Sequence, residues 1–154
     1  MTNNTETDDL KKLNYIAPSK IIVGDSTIQG RGVFALVDLK KGEIIERCPL
    51  IQMEYRSKYQ LDPTIFGYMY ARYQEDAEAE KHGFLMYIAA GYGMLYNHQD
   101  ESNALWKFNY PQLLGDIVAI KDIPKGGEIF INYGNCYFNS NDTYTGIEQV
   151  KHHG

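Results

Sequence analysis

The sequence predicts a mostly β domain of several short sheets, with a small helical insert between its two halves. Three observations carry that expectation. Apolar runs of strand length recur between turn-forming Gly, Pro, Asn and Asp residues. The stretch Phe34-Ala-Leu-Val-Asp-Leu-Lys-Lys-Gly42 is echoed by Val118-Ala-Ile-Lys-Asp-Ile-Pro-Lys-Gly126, and each copy runs strand, Asp, Lys-Gly turn and then a Glu-Ile strand. Between the copies, residues 57–83 change texture and take helical spacing. Two copies are too few for a solenoid and indicate two hairpin-like units built alike. A length of 154 residues suits one domain.

Taken in order, residues 1–17 read as a polar, aperiodic N-terminal tail, and its acidic start is unlike a secretory signal. Lys20 to Val23 reads as a strand, Gly24 to Gly32 as turn-rich, and Val33 to Val37 as the next strand. Asp38 to Gly42 turns the chain into a strand from Glu43 to Glu46. Pro49 then punctuates it before a further strand from Leu50 to Met53. In the insert, Ile65, Tyr68, Met69 and Tyr73 fall near helical spacing, and Gln74 to Lys81 reads as a solvated, charged helix end. Phe84 to Ala90 is apolar and Gly91-Tyr-Gly93 breaks it. Asn97 to Asn103 is polar and turn-like. Leu105 to Tyr110, Ile117 to Ile120 and Glu128 to Tyr133 read as strands, and residues 139–154 as a polar C-terminal tail. The domain proper is therefore expected over residues 18–138.

Composition narrows the function. Hydrophobic residues at 44% and charged residues at 23% are those of a globular chain. No apolar run reaches the length of about 18 residues that a membrane helix needs. A formal charge of -5 argues against direct nucleic-acid binding, which needs excess Lys and Arg, and favours a basic partner weakly. Two cysteines, Cys48 and Cys136, build neither a disulfide framework nor a zinc cluster, which points to reduced thiols in the cytoplasm. Nothing bars so small a protein from the nucleus. Thirteen tyrosines against six phenylalanines are unusual. The excess suits a wet aromatic channel or an interaction surface, although half-buried strand positions account for most single tyrosines.

Three segments could carry chemistry. Gly30-Arg-Gly32 lets the backbone approach a ligand, but it lacks the third glycine and following helix of a dinucleotide fingerprint, so alone it reads as a tight turn. Asn97-His98 follows an apolar run, and His98 has no second His or Cys at metal-ligand spacing, so no metal site is expected. Ser102 lies in no nucleophile elbow, and neither cysteine has an activating motif. Glu128-Ile-Phe-Ile-Asn-Tyr-Gly134 alone is a strand ending in a glycine turn.

In this order and spacing the three segments resemble the SET-domain protein-lysine methyltransferases. The motifs are Gly30-Arg-Gly-Val-Phe-Ala35, Asn97-His-Gln-Asp-Glu-Ser-Asn103 and Gly127-Glu-Ile-Phe-Ile-Asn-Tyr-Gly134, and the likeness runs over about residues 20–138. The form Gly91-Tyr-Gly-Met-Leu-Tyr-Asn-His98 looks like the compact branch of that family. The resemblance implies a SET fold of short sheets with a knot-like threading near the active site. It also implies S-adenosylmethionine as cofactor, a protein or peptide substrate carrying a lysine (a basic tail among the candidates), and no metal in transfer. By the same resemblance, Gly30, Arg31 and Gly32 line the methionine part of the cofactor, and Asn97 and His98 hold its amino group and adenine. Tyr133 is the catalytic-site tyrosine and Tyr137 packs on the cofactor. Tyr92, Trp106 and Phe138 wall the lysine channel, although Trp106 read alone is a core tryptophan. Three departures stand out. Gln99 replaces the usual Ser, Ser102 replaces the usual Pro, and Glu46-Arg-Cys-Pro49 lacks a Tyr-x-Gly found in some members. They keep open the alternative of a non-catalytic, SET-like peptide-binding module.

Overall fold

The computed structural model describes residues 18–55, 62–72 and 84–134. Four strands form one sheet: β1 (Ile21–Asp25), β2 (Arg31–Ala35), β6 (Asn97–His98) and β9 (Glu128–Ile131), in the order β1-β2-β9-β6. Five form the other: β3 (Ile44–Tyr55), β4 (Tyr70–Arg72), β5 (Phe84–Ala89), β7 (Ala104–Asn109) and β8 (Leu114–Ala119), in the order β4-β5-β3-β8-β7. Every pairing is antiparallel except β6 with β9, which is parallel. A short helix, α1 (Pro63–Phe66), precedes β4, and a 3-10 turn (Tyr110–Gln112) joins β7 to β8.

The two echoed stretches meet each other. Leu39 and Ile123 exchange backbone hydrogen bonds of 2.8 and 2.9 Å. The Asp122 carboxylate accepts from Lys41 N at 2.9 Å, and the Asp38 carboxylate accepts from Lys125 N at 2.8 Å. Gly42 N donates to Ala119 O, and Gly126 N donates to Ala35 O. Gly42 and Gly126 both take the left-handed conformation, with φ of 88° and 83°, which a tight Lys-Gly turn requires. Leu39 and Ile123 are buried at the centre of this reciprocal contact. It closes the larger core, which Val33, Tyr96, Ile117, Ile129 and Ile131 also fill.

The five-stranded sheet is rolled. Tyr70 on the edge strand β4 reaches Trp106 and Phe108 on the opposite edge strand β7, at ring-centroid distances of 5.0 and 6.0 Å. Gly115 on β8 makes room, because a Cβ there would stand 2.7 Å from the Trp106 ring. Trp106 stacks on Phe108 at 5.0 Å and Phe108 on Tyr110 at 5.4 Å, so a row of rings runs along one face of β7 into the 3-10 turn. Cys48, Leu50, Tyr87 and Ala89 form the smaller buried cluster beneath them.

The fold class is as the sequence predicts, but several elements differ. The two strands expected on either side of Pro49 are one strand of 12 residues. Residues 44–49 pair with β8 and residues 50–55 pair with β5, so Pro49 sits where the strand changes partners and its missing N–H costs little. The strand expected at Val33–Val37 begins earlier, at Arg31, and includes Gly32. Asn97-His98, read as turn-like, is a short strand held beside β9. The helical insert shrinks among the described residues to Pro63–Phe66, and the stretch from Tyr70 is strand, because pairing with β5 outweighs a weak helical period. Gln74 to Lys81 and both tails lie outside the described residues.

Candidate active site

The site is built where the four-stranded sheet meets residues 91–98. Gly30 turns the chain at φ 48° with open space on its Cβ side, and Arg31 follows, exposed. Gly32 is buried, and a Cβ there would stand 2.9 Å from Glu128 Cδ and 3.1 Å from Asn97 Nδ2. The Asn97 amide ties these pieces together. Its Nδ2 donates to Gln29 O at 3.1 Å, Arg31 O at 3.2 Å and Glu128 Oε1 at 2.9 Å. Three acceptors around one atom fix the amide's orientation. Ser26 Oγ donates to the other Glu128 oxygen at 3.0 Å.

Tyr133 is held at both ends. Its backbone N–H donates to His98 Nδ1 at 3.0 Å, and its hydroxyl donates to Tyr96 O at 2.5 Å. With Nδ1 accepting, the His98 proton sits on Nε2, which faces Asp100 Oδ1 at 3.1 Å. The His98 and Tyr133 rings lie 5.2 Å apart. Asn103 braces the strand leading to Tyr133: its Oδ1 accepts from Phe130 N at 2.8 Å and its Nδ2 donates to Glu128 O at 2.9 Å.

The structure therefore brings Gly30, Arg31, Gly32, Asn97, His98 and Tyr133 together. Tyr92 and Trp106 join Tyr133 in packing against the larger core. Trp106 is a packing residue, wedged against Gly93 and Gly115. Its Nε1 is buried without a hydrogen-bond partner. Tyr137 and Phe138 lie outside the described residues. Gln99, one of the departures, is exposed and donates its backbone N–H to Ile131 O at 3.1 Å.

Sequence reasoning missed Glu128, Tyr96 and Glu46. The one available signal was for Glu46, a carboxylate among apolar strand residues. It is 3% exposed. Its oxygens accept from Tyr92 N at 2.8 Å and from the Tyr96 hydroxyl at 2.7 Å. Burial, reinforced by the adjacent Glu46 charge, pushes both the Tyr96 phenol and the Cys48 thiol up from their ordinary values, so both keep their protons.

The donor set fits an amino-acid-bearing cofactor. All three Asn97 bonds run through Nδ2, which leaves its amide oxygen as an acceptor for an ammonium beside the open Gly30 turn. No group of three or more His, Cys, Asp or Glu among the described residues is placed to hold a metal ion. No described helix is long and apolar enough to cross a membrane.

The chain matches the SET domain family over residues 30–134. A crystal structure of a Plasmodium falciparum candidate histone methyltransferase is similar, with 31% identity and a TM-score of 0.58, covering 75% of this chain and 94% of that one. The Neurospora SET-domain protein DIM-5, a histone lysine methyltransferase, shares the fold at 20% identity and a TM-score of 0.55, covering 75% of this chain and 52% of that one. A chain of ctPRC2, solved in complex with H3K27me3 and H3K27M, shares it at 23% identity and a TM-score of 0.55, with 80% of this chain and 16% of that one covered. No curated protein matches. The family match spans all three motifs, and the Plasmodium structure is matched over most of both chains. The chain belongs to the SET-domain family.

Proposed function

We propose that this protein transfers a methyl group from S-adenosylmethionine to the side-chain amine of a lysine in a protein substrate. The observation that carries the reading is the double hold on Tyr133, by His98 through its backbone and by the Tyr96 carbonyl through its hydroxyl. When bound, the cofactor supplies an electrophilic methyl on a sulfonium. The Gly30-Arg31-Gly32 backbone would hold its methionine part, the Asn97 amide oxygen its ammonium, and His98 its adenine side.

The chain's own work is positioning. The reaction forms an N–C bond as the C–S bond breaks, in line, and needs the amine unprotonated and aimed. Tyr92 and Tyr133 desolvate the lysine, which favours its neutral form, while their ring faces attract the arriving cation. The Tyr133 hydroxyl and the Tyr96 carbonyl orient the amine. A phenol with a pKa near 10 is a poor base at neutral pH, so Tyr133 positions the amine and does not deprotonate it. Lys-rich tails are the substrate class that the acidic chain and the histone methyltransferases among its structural neighbours support.

The test begins with melting curves. S-adenosylmethionine at about 100 times its dissociation constant adds about 2.7 kcal/mol, a rise of roughly 5 to 10 °C for a domain this size. Tyr133→Phe should keep that rise and lose transfer of labelled methyl to histone peptides. Full activity in Tyr133→Phe would sink the assignment. A melting rise with no transfer by the wild type, on peptides or lysate, would favour the non-catalytic peptide-binding module.

A further inference from the structure

We propose that Glu46 is a positioning residue for methyl transfer, setting where the Tyr96 carbonyl, and through it the Tyr133 hydroxyl, stands. The inference rests on the methyltransfer reading above and adds a residue to it.

A carboxylate on a buried strand face is costly unless hydrogen-bonded. Glu46 reaches that face through a bulge: the register against β8 shifts between Ile44 and Glu46, so Ile45 and Glu46 are both buried. The neighbouring Arg47 does not neutralise it, because the guanidinium binds Asp116 in bidentate fashion at 2.7 and 2.8 Å. Glu46 instead spends its two oxygens on the two ends of one segment. Oε1 takes Tyr92 N and Oε2 takes the Tyr96 hydroxyl.

The segment between is pressed flat on β3. Gly91 has φ 80°, and a Cβ there would overlap Glu46 Oε1. A Cβ on Gly93 would stand 2.9 Å from Cys48 Sγ and 2.6 Å from Ala89 Cβ. The Tyr70 hydroxyl donates to Gly93 O at 2.8 Å. Residues 91–96 thus have a fixed height over the sheet, with Glu46 as the anchor common to both ends. Tyr96 then carries the position outward, because its ring is bound to Glu46 and its carbonyl receives Tyr133. A displaced anchor moves Tyr92 and the Tyr133 acceptor together, while Asn97 keeps its bonds to Glu128 and to the Gln29 and Arg31 carbonyls on either side of Gly30.

Three variants separate positioning from stability. Tyr96→Phe removes one hydroxyl and leaves the carbonyl that Tyr133 uses. Glu46→Leu removes both acceptors. Glu46→Gln can still accept from Tyr92 N and donate to the Tyr96 oxygen, so it is the conservative rescue. Misplacement of this kind should lower kcat about 10- to 100-fold in Tyr96→Phe and Glu46→Leu. KM for cofactor and peptide should stay near wild type, and Glu46→Gln should recover most of kcat. Amide exchange of residues 91–96, read by mass spectrometry without cofactor or substrate, should quicken in Tyr96→Phe. Wild-type kcat in folded Tyr96→Phe overturns the proposal, whether or not exchange quickens. A fall that appears only in KM overturns it too. If Glu46→Leu fails to fold, Tyr96→Phe decides alone. No transfer by the wild-type protein is a different result: it overturns the methyltransfer reading, and the exchange data then show whether Glu46 is a purely structural anchor.

Discussion

Replacing Gly32 by alanine should be expensive, and the cost should vanish when Glu128 is removed. Gly32 has an ordinary strand conformation, so the effect is steric and not conformational. The new Cβ would overlap Glu128 Oε1 and stand 2.9 Å from Glu128 Cδ. The carboxylate cannot simply swing away, because Ser26 holds one oxygen at 3.0 Å and Asn97 the other at 2.9 Å. The backbone cannot slide either, because Phe34 pairs with Glu128 and Val33 with Ile129. The least damaging response breaks the Asn97–Glu128 bond, and hydrogen bonds to a charged group are worth about 1.5–3 kcal/mol. With some strain added, Gly32→Ala should cost roughly 2–4 kcal/mol, or roughly 5–15 °C in Tm. In a Glu128→Ala background the same substitution should cost less than about 1 kcal/mol. Glu128→Gln, which keeps the shape, should not relieve the clash. Urea unfolding followed by fluorescence of Trp106, the single tryptophan, gives all the free energies. Additivity of the two substitutions within about 0.5 kcal/mol would refute the reasoning.

Two further outcomes follow from the buried and surface charges. Cys48 is fully buried and its thiol is pushed up by burial and by Glu46. In a Cys136→Ser variant, iodoacetamide should therefore label the protein only as fast as it unfolds, and rapid labelling of the native state would contradict this. The pH range of stability should be bounded on both sides. Glu43 is held below its ordinary 4.5 by the Lys20 ammonium and the Lys40 N–H, so its stabilisation is present above that value and lost as pH falls below it. The acid loss should be small, since the group is near the surface. Cys48 and Tyr96 are raised above their ordinary 9.0 and 10.0, so their stabilisation is present below those values and lost as pH rises past them. Tm should decline below about pH 4.5 and more steeply above about pH 9, where each such group costs up to about 1.4 kcal/mol per pH unit. A Tm unchanged to pH 10.5 would count against the alkaline edge.

The motif positions were legible because each is a residue type tied to a fixed chain order: Gly30 and Gly32, Asn97-His98, Tyr133-Gly134. Their supports were not. Glu46 turns inward only because a bulge places two successive residues on the buried side, and no two-residue period announces a bulge. Pro49 read as a break because its tolerance depends on which strand lies beside it, which is tertiary information. Helical spacing around Tyr68 and Met69 gave way at Tyr70, where β5 supplied partners. The tyrosine excess was a real signal whose meaning lay in geometry. Tyr70, Tyr96 and Tyr133 each spend a hydroxyl fastening residues 91–96, to Gly93 O, to Glu46 and through Tyr96 O. Tyr87, 1% exposed with its hydroxyl 3.3 Å from Gln52, is the ordinary core tyrosine.

The contact between the echoed turns has the logic of a two-fold dimer enclosed in one chain. What the first turn gives to the second, it receives back: Leu39 and Ile123 trade bonds, and Asp38 and Asp122 each hold the other unit's lysine backbone. Such an isologous surface is self-complementary, so recognition between the halves needs nothing from the polypeptide that links them. The free energy of closing the loop between the two units grows only slowly, with the logarithm of its length. The stretch that links the two turns can therefore gain or lose residues at small cost to the closure between Leu39 and Ile123, as long as Tyr70–Arg72 keep their pairing with β5 and Tyr70 its bond to Gly93 O.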